Sequence, residues 1–305
     1  MSILLYILVF PIIWLLSLLP FNVLYFLARG VYFINFYIIR YRRKIVFNNI
    51  KNSFPEKSDA EVRLIMKKFY KHFSRLFFEI IKQITISKTE FKKRVKYKNP
   101  EVLFDLYNRG IHCIVVTAHY GNWEWLPSLS DCTPYRTMSV YKPLSNRPLE
   151  NLLTKFRTRF GTELVPMNQV LKKMIQYKNH GKPTLSCFIT DQTPIYQHIQ
   201  YWTKFLNQDT PIYLGVEKIA RQLNLAVLFY KMNPVGLGYY EIEIIKLYED
   251  VSTISELEIT EAHVRVLENT ILEKPEYWLW THRRWKYSKE VHQETMKNAY
   301  NSKLR

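Results

Sequence analysis

No Asp, Glu, Lys, Arg or His occurs before Arg29. The uncharged run from Ile3 to Ala28, at 1.5 Å per helical residue, is long enough to cross a hydrocarbon core of about 30 Å. Apolar sequence resumes after Arg29 and continues to Ile39, and Arg40, Arg42, Arg43 and Lys44 follow directly. A cleavable secretory signal needs basic residues before its apolar part and a small-residue cleavage site after it, and this run has neither. Pro11 and Pro20 leave a second arrangement open, a pair of helices lying in the interface or buried in a core. Because Lys and Arg accumulate on the cytoplasmic side of a span, residues 1–39 are expected to form a membrane anchor. The remainder, 40–305, is then expected to face the cytoplasm as one domain.

The charge is distributed accordingly. Residues 40–98 hold 18 Lys and Arg against five Asp and Glu, a surplus of 13 within the chain's net +18. Such a surplus seeks an anionic partner. Its place behind an apolar segment points to anionic membrane and acidic or phosphorylated ligands. Nucleic acid is disfavoured, since no helix-turn-helix, zinc-finger or RNP-type pattern accompanies it. Cys113, Cys132 and Cys187 are odd in number and widely spaced, which reads as reduced structural thiols without metal spacing. Neither a metal nor a cofactor is expected.

Ser58 and Glu61 have capping-box spacing, so a helix is expected to begin there. Val62, Ile65, Met66, Phe69, Phe73, Phe77, Ile80, Ile81 and Ile84 recur at helical spacing as its apolar stripe. Buried strands are expected at Cys113–Thr117, Met138–Tyr141, Leu185–Ile189, Ala226–Tyr230 and Ile242–Ile245. Helical stretches lie around 147–159, 168–179, 213–223 and 260–273. This alternation predicts an α/β fold with a mostly parallel or mixed sheet flanked by helices.

Ligands in such sheets sit outside the carboxyl ends of the strands, and His119 follows Cys113–Thr117 there. Glu124 comes five positions later, beyond a Gly-Asn turn, so a strand-to-helix reversal would set its carboxylate against the imidazole. A carboxylate-oriented imidazole can act as a general base on a hydroxyl. A structural His bonded to a nearby carboxylate has the same spacing. Asp191 and Gln192 end another strand and reach the same rim. Arg157 and Arg159 supply guanidinium groups that can fork onto phosphate or carboxylate. The aromatic run from Pro275 to Lys286 reads, residue by residue, as a helix packing on the core with its Arg ends at the surface.

Taken in order, these segments resemble the late acyltransferases of lipid A biosynthesis, the lauroyl/myristoyl-type enzymes of Gram-negative inner membranes. The resemblance rests on an apolar N-terminus and basic stretch with "NNIKNSFPEKS", then "AHYGNWEW", "YKPLSNRPLE", "RTRFG", "TDQTP" and "PEYWLWTHRRWK". It covers about residues 1–287. Related glycerolipid acyltransferases usually carry Asp where Glu124 stands, so Glu124 favours the lipid A branch.

The resemblance implies a fold like the glycerol-phosphate acyltransferase layer, an acyl-carrier-protein thioester as donor, and an acylated, phosphorylated glucosamine disaccharide as acceptor. It also implies an inner-membrane location. His119 would take the proton of a hydroxyl on a hydroxyacyl chain, with Glu124 orienting the ring. Arg157 and Arg159 would contact acceptor phosphate or the active-site carboxylate, while Asp191 and Gln192 would order the site. Backbone amides near Gly121, or a nearby Arg, are candidates to hold the oxyanion. The same dyad acting on a glycerolipid, aminolipid or polyene pigment is the rival enzyme, and a binding protein that kept the fold without the chemistry is the rival class.

Overall fold

Strand Cys113–Thr117 is buried along its whole length, as suits an apolar, β-branched run at the centre of a sheet. The computed structural model describes residues 3–179 and 181–303. Among them lie nine strands: β1 Val95–Tyr97, β2 Cys113–Thr117, β3 Arg136–Tyr141, β4 Glu163–Pro166, β5 Thr184–Ile189, β6 Tyr201–Phe205, β7 Gln208–Ile212, β8 Ala226–Gly236 and β9 Tyr239–Tyr248. Seven form one sheet in the order β1-β9-β8-β2-β5-β3-β4. Strands β8, β2, β5, β3 and β4 are mutually parallel, while β9 returns antiparallel on β8 and β1 lies parallel to β9. β6 and β7 pair as a separate hairpin.

The expected α/β class is therefore present as a mixed sheet. Its two faces are built by the strand period of two. Ile114 and Val116 enter one core with Phe188 and Phe229, whereas Cys113 and Val115 enter the other with Leu185 and Leu228. The expected strands all occur, β8 and β9 running further than expected and closing through Gly236–Gly238. Gly238 adopts a left-handed φ of +69°, and a Cβ there would collide with the Tyr25 hydroxyl. Only glycine allows the turn to lie so close to the N-terminal helices.

Those helices differ from a single long span. Helix α1, Ile3–Leu18, contains Pro11, and helix α2, Phe21–Phe33, starts after Pro20 and continues through a π-type turn at Ile34–Ile38. Proline at the entry to α2 separates the two because it cannot donate a helical hydrogen bond. Among the described residues, one stretch is long and apolar enough to cross a membrane, Phe21–Ile38, with mean hydropathy 1.2. Helix α3 spans Arg43–Ser53 and helix α4 spans Asp59–Lys82. Leu24 and Ala28 of α2 pack on Phe78 and Ile81 of α4, while Phe26, Phe33 and Ile38 remain bare. One side of α2 thus belongs to the domain and the other is open.

α4 opens on the expected capping box: Glu61 N–H donates to Ser58 Oγ at 3.4 Å, and Ser58 N–H donates to Glu61 Oε2 at 2.8 Å. Its apolar stripe drifts from the expected register. Val62, Ile65, Met66 and Phe69 are buried, but the second half buries Leu76, Phe78, Glu79 and Ile81 while Phe77 faces outward. The cause is α2, which covers that second half and adds a buried polar anchor. Glu79 accepts from Tyr25 Oη at 3.1 Å, Tyr240 Oη at 2.7 Å and Asn122 Nδ2 at 2.8 Å. Lys82 Nζ donates to the carbonyls of Ser17 and Leu19, each at 2.9 Å, satisfying acceptors that the end of α1 leaves open.

Two buried histidines make the fold acid-sensitive. Burial pushes His72 and His263 down to about 4 from the ordinary 6.5. The unfolded chain therefore binds more protons than the folded one between those values, so their contribution is whole above about 6.5 and is lost as pH falls toward 4. Thermal melting of the purified protein is expected to be flat above that window and to drop through it. His72→Gln should flatten part of the drop.

Candidate active site

β2 and β5 are parallel neighbours, with Thr117 opposite Ile189. Thr190 N–H extends the ladder by donating to Thr117 O at 3.2 Å. The residues that follow each strand therefore emerge side by side at the carboxyl edge. His119 and Asp191 meet there. The ring Nδ1 lies 2.7 Å from Asp191 Oδ1, and the His119 backbone N–H donates to Asp191 Oδ2 at 3.1 Å. Trp278 Nε1–H donates to Oδ2 at 2.8 Å. Burial by itself would raise the Asp191 carboxyl, but His119 and these hydrogen bonds outweigh it and hold the group below its ordinary value.

An ionised carboxylate can only accept, so Nδ1 carries the ring proton and Nε2 keeps its lone pair. Gln192 agrees with that assignment, its Nε2 lying 3.3 Å from His119 Nε2 as a donor. The orienting carboxylate expected from Glu124 is thus Asp191 in this geometry. Asp191 and Gln192, expected to order the site, touch the imidazole directly.

Glu124 is turned elsewhere. After Ala118 and Tyr120 the chain reverses at Gly121, φ +61°, where a Cβ would stand 2.8 Å from Met232 Sδ. It then enters a 3-10 segment, Trp123–Cys132, in place of the expected helix. Glu124 there meets Arg157, whose Nε and Nη2 donate to Oε2 and Oε1 at 2.8 and 2.6 Å. A cationic fork competes for this carboxylate more strongly than a neutral ring. Trp123 packs edge-on to His119, ring centres 5.1 Å apart.

Of the two contacts expected for Arg157, acceptor phosphate or carboxylate, the carboxylate is the one made. Both side chains keep some solvent access, 22% and 14%, so Arg157→Ala should cost about 2–3 kcal/mol, less than the figure for a fully buried pair. A lower melting temperature in Arg157→Ala, only partly recovered by Arg157→Lys, is the expected result.

Arg159 is not brought to His119. Its Nη1 donates to Gln83 O at 2.8 Å, and it lines a separate groove with Pro11, Trp14 and Phe156 against α1. The amides expected to hold an oxyanion are also engaged: Gly121 N–H donates to Tyr277 O at 3.0 Å and Asn122 N–H to Met232 Sδ at 2.9 Å. Arg157 is occupied by Glu124.

The run from Pro275 is an irregular strap after one short 3-10 turn, Pro275–Tyr277. It buries Trp278, Trp280 and Arg284. Arg284 is inside, not at the surface as expected, donating from Nη2 to Pro211 O at 2.7 Å. The strap closes the site from behind: Leu279 N–H bonds His119 O at 3.1 Å, and His282 Nε2 accepts from Thr193 N–H at 3.2 Å. Trp278 escapes a sequence reading because an indole in an aromatic run looks like packing. Its N–H on Asp191 appears only when the strap is laid across β5.

In front of His119 opens a cavity of about 670 Å³, within the range of small-ligand sites. Its polar end carries His119, Glu124, Arg157 and Gln192, and its apolar wall includes Leu126, Val140, Leu144, Leu153, Leu164 and Ile189. Among the described residues no cluster of His, Cys, Asp and Glu is arranged to hold a metal ion.

The carboxyl edge of a mixed α/β sheet thus carries an imidazole held by a carboxylate beside an apolar-walled cavity. The chain belongs to the bacterial lipid A biosynthesis acyltransferase family, whose model matches residues 1–287, and it is an acyltransferase. It is similar to the lipid A biosynthesis lauroyltransferase of Escherichia coli (strain K12), 24% identical over 279 residues that cover 90% of this chain and 89% of that relative.

Proposed function

We propose that this acyltransferase moves a fatty acyl group from an acyl-carrier-protein thioester to a hydroxyl of a hydroxyacyl chain on a phosphorylated lipid A precursor. The work is placed at the cytoplasmic face of the inner membrane, with residues 1–39 as anchor. The observation that carries the reading is the His119 imidazole at the cavity edge, with Nδ1 on the Asp191 carboxylate and Nε2 beside the Gln192 amide. Family membership and the lauroyltransferase relative support the choice of acceptor.

In this reading His119 Nε2 takes the proton of the acceptor hydroxyl as its oxygen attacks the thioester carbon. Asp191 stabilises the imidazolium. The Gln192 amide, displaced from Nε2 when the hydroxyl takes its place there, is the neighbouring N–H donor that can turn to the oxyanion. Collapse expels the thiolate, which receives the proton back from His119, leaving an ester and a free thiol with no covalent enzyme intermediate. The apolar wall takes the acyl chain. Glu124 and Arg157 lie at the polar end with His119, and their neutralised pair is suited to position the acceptor. No cofactor is needed.

The donor assignment has a direct test. Acyl carrier protein is acidic, so the basic surface of residues 40–98 would steer it. Raising salt should raise the KM for an acyl-carrier-protein thioester and leave that for an uncharged acyl-pantetheine thioester less affected. Equal use of both donors at all salt concentrations would sink the carrier-protein assignment.

A further inference from the structure

The basic cluster behind the apolar segment has a shape as well as a charge. Arg40, Arg43 and Lys44 meet Arg63 of α4 around a groove of about 450 Å³ floored by Phe47 and Met66, and no carboxylate lines it. Packing fixes two of the guanidinium groups. Arg43 lies over the Phe36 ring at 4.4 Å and donates Nη1 to Phe36 O at 3.2 Å, and Arg63 lies over Phe47 at 5.3 Å. The chain reaches the groove through Arg40 and Arg42, both left-handed at φ 55° and 51°. Residues other than glycine are disfavoured in that conformation, yet here it turns the end of the apolar stretch sharply into α3. α3 begins at Arg43 with no side-chain cap and no acidic residue in its first turn, so its positive end adds to the four cations. Immediately before the groove, Phe33, Ile34, Ile38 and Ile39 stand bare.

We infer that this groove binds the phosphate headgroup of an anionic membrane phospholipid, whose acyl chains lie against the bare apolar residues before it. The occupant follows from position and charge. Four cations, with no carboxylate among the described residues that line the groove, lie where the apolar stretch ends, which is the depth of lipid phosphates. The site lies apart from His119 and does no chemistry, but α3 ties it to the strap. Asn49 Nδ2 donates to the carbonyls of Trp280 and His282 at 2.9 Å each, and Arg42 Nη1 donates to Thr281 O at 2.9 Å. A lipid held there fixes the height of the catalytic edge above the bilayer. The inference rests on reading residues 1–39 as an anchor.

The test is native mass spectrometry of the full chain released from detergent, with phosphatidylglycerol or phosphatidylcholine of matched chains added. The wild type should retain one phosphatidylglycerol in preference to phosphatidylcholine. Arg40→Gln/Lys44→Gln/Arg63→Gln, all at exposed positions, should weaken that retention roughly 10- to 100-fold. A matched variant, Lys92→Gln/Lys93→Gln/Lys96→Gln, should keep it. Lys44→Gln alone should show a partial loss, which guards against misfolding of the triple variant.

Equal retention of the two lipids by the wild type, retention by the triple variant, or equal loss in the matched variant would overturn the site. Displacement by inorganic phosphate would make it a site for soluble anions and overturn the lipid assignment. None of these readings involves acyl transfer, so they stand or fall apart from the catalytic proposal. A wild-type chain that does not pellet with membranes would overturn the anchor and this inference together.

Discussion

His119→Ala is expected to lower kcat by roughly 10²- to 10⁴-fold, measured on the folded variant with an acyl-carrier-protein thioester and a lipid A precursor, and to lower the melting temperature as well because the buried Asp191 carboxylate loses its ring partner. The loss follows from what the acceptor lacks. An aliphatic hydroxyl is a poor nucleophile, and a general base that takes its proton during attack is what makes the thioester reaction fast. The ring is 18% exposed and its Nδ1 is already committed to Asp191, so Nε2, with the Gln192 amide 3.3 Å away, is the nitrogen left to meet a substrate hydroxyl. KM for either substrate should move little, because the ring acts on the reacting proton more than on binding. Near-normal transfer by folded His119→Ala would remove the general base from the account.

The second large effect separates two carboxylates. Asp191→Asn keeps the shape and can still accept from Trp278, but an amide presenting N–H to Nδ1 forces the ring proton onto Nε2, where the base is needed. A fall of roughly 10²- to 10⁴-fold in kcat is expected, close to that of His119→Ala and not additive with it. Glu124→Gln should act differently. It keeps an oxygen for Arg157 but loses the charge-assisted fork, so a raised KM for the acceptor with a smaller fall in kcat is the expected pattern. If Asp191→Asn retained activity while Glu124→Gln abolished kcat, the orienting role would return to Glu124.

That comparison marks how much of the site could be read from sequence. Strand periodicity placed Cys113–Thr117 and Leu185–Ile189 as buried strands, and their carboxyl ends brought His119, Asp191 and Gln192 to one rim. Which carboxylate faces the ring could not be read, because it depends on the pairing of β2 with β5 and on the 3-10 path after Gly121. Both are long-range outcomes. Glu124 was drawn to Arg157, 33 residues away, by a contact no spacing rule contains. Arg159, two positions beyond Arg157, points to a different groove.

The same limit explains the other differences. β1 and β4, three and four residues long, are too short to register as strands alone, and they exist by pairing with β9 and β3. The strap was readable as aromatic but not as irregular, since its shape is set by the indole and carbonyl contacts that close the site. The uncharged opening was legible as apolar, and Pro20 as a break. That α2 would lay one side on α4 through Tyr25 and Glu79 required the tertiary structure, because a buried Glu in a basic amphipathic helix reads as a solvated charge.

The central claim is acyl transfer to a lipid A precursor, and mass spectrometry of lipid A tests it most directly. Comparison of a strain lacking this chain with one re-expressing it should show the loss and return of one secondary acyl chain, with no return when His119→Ala is expressed instead. An unchanged lipid A in the deletion strain would contradict the claim and move the activity to another hydroxyl-bearing lipid.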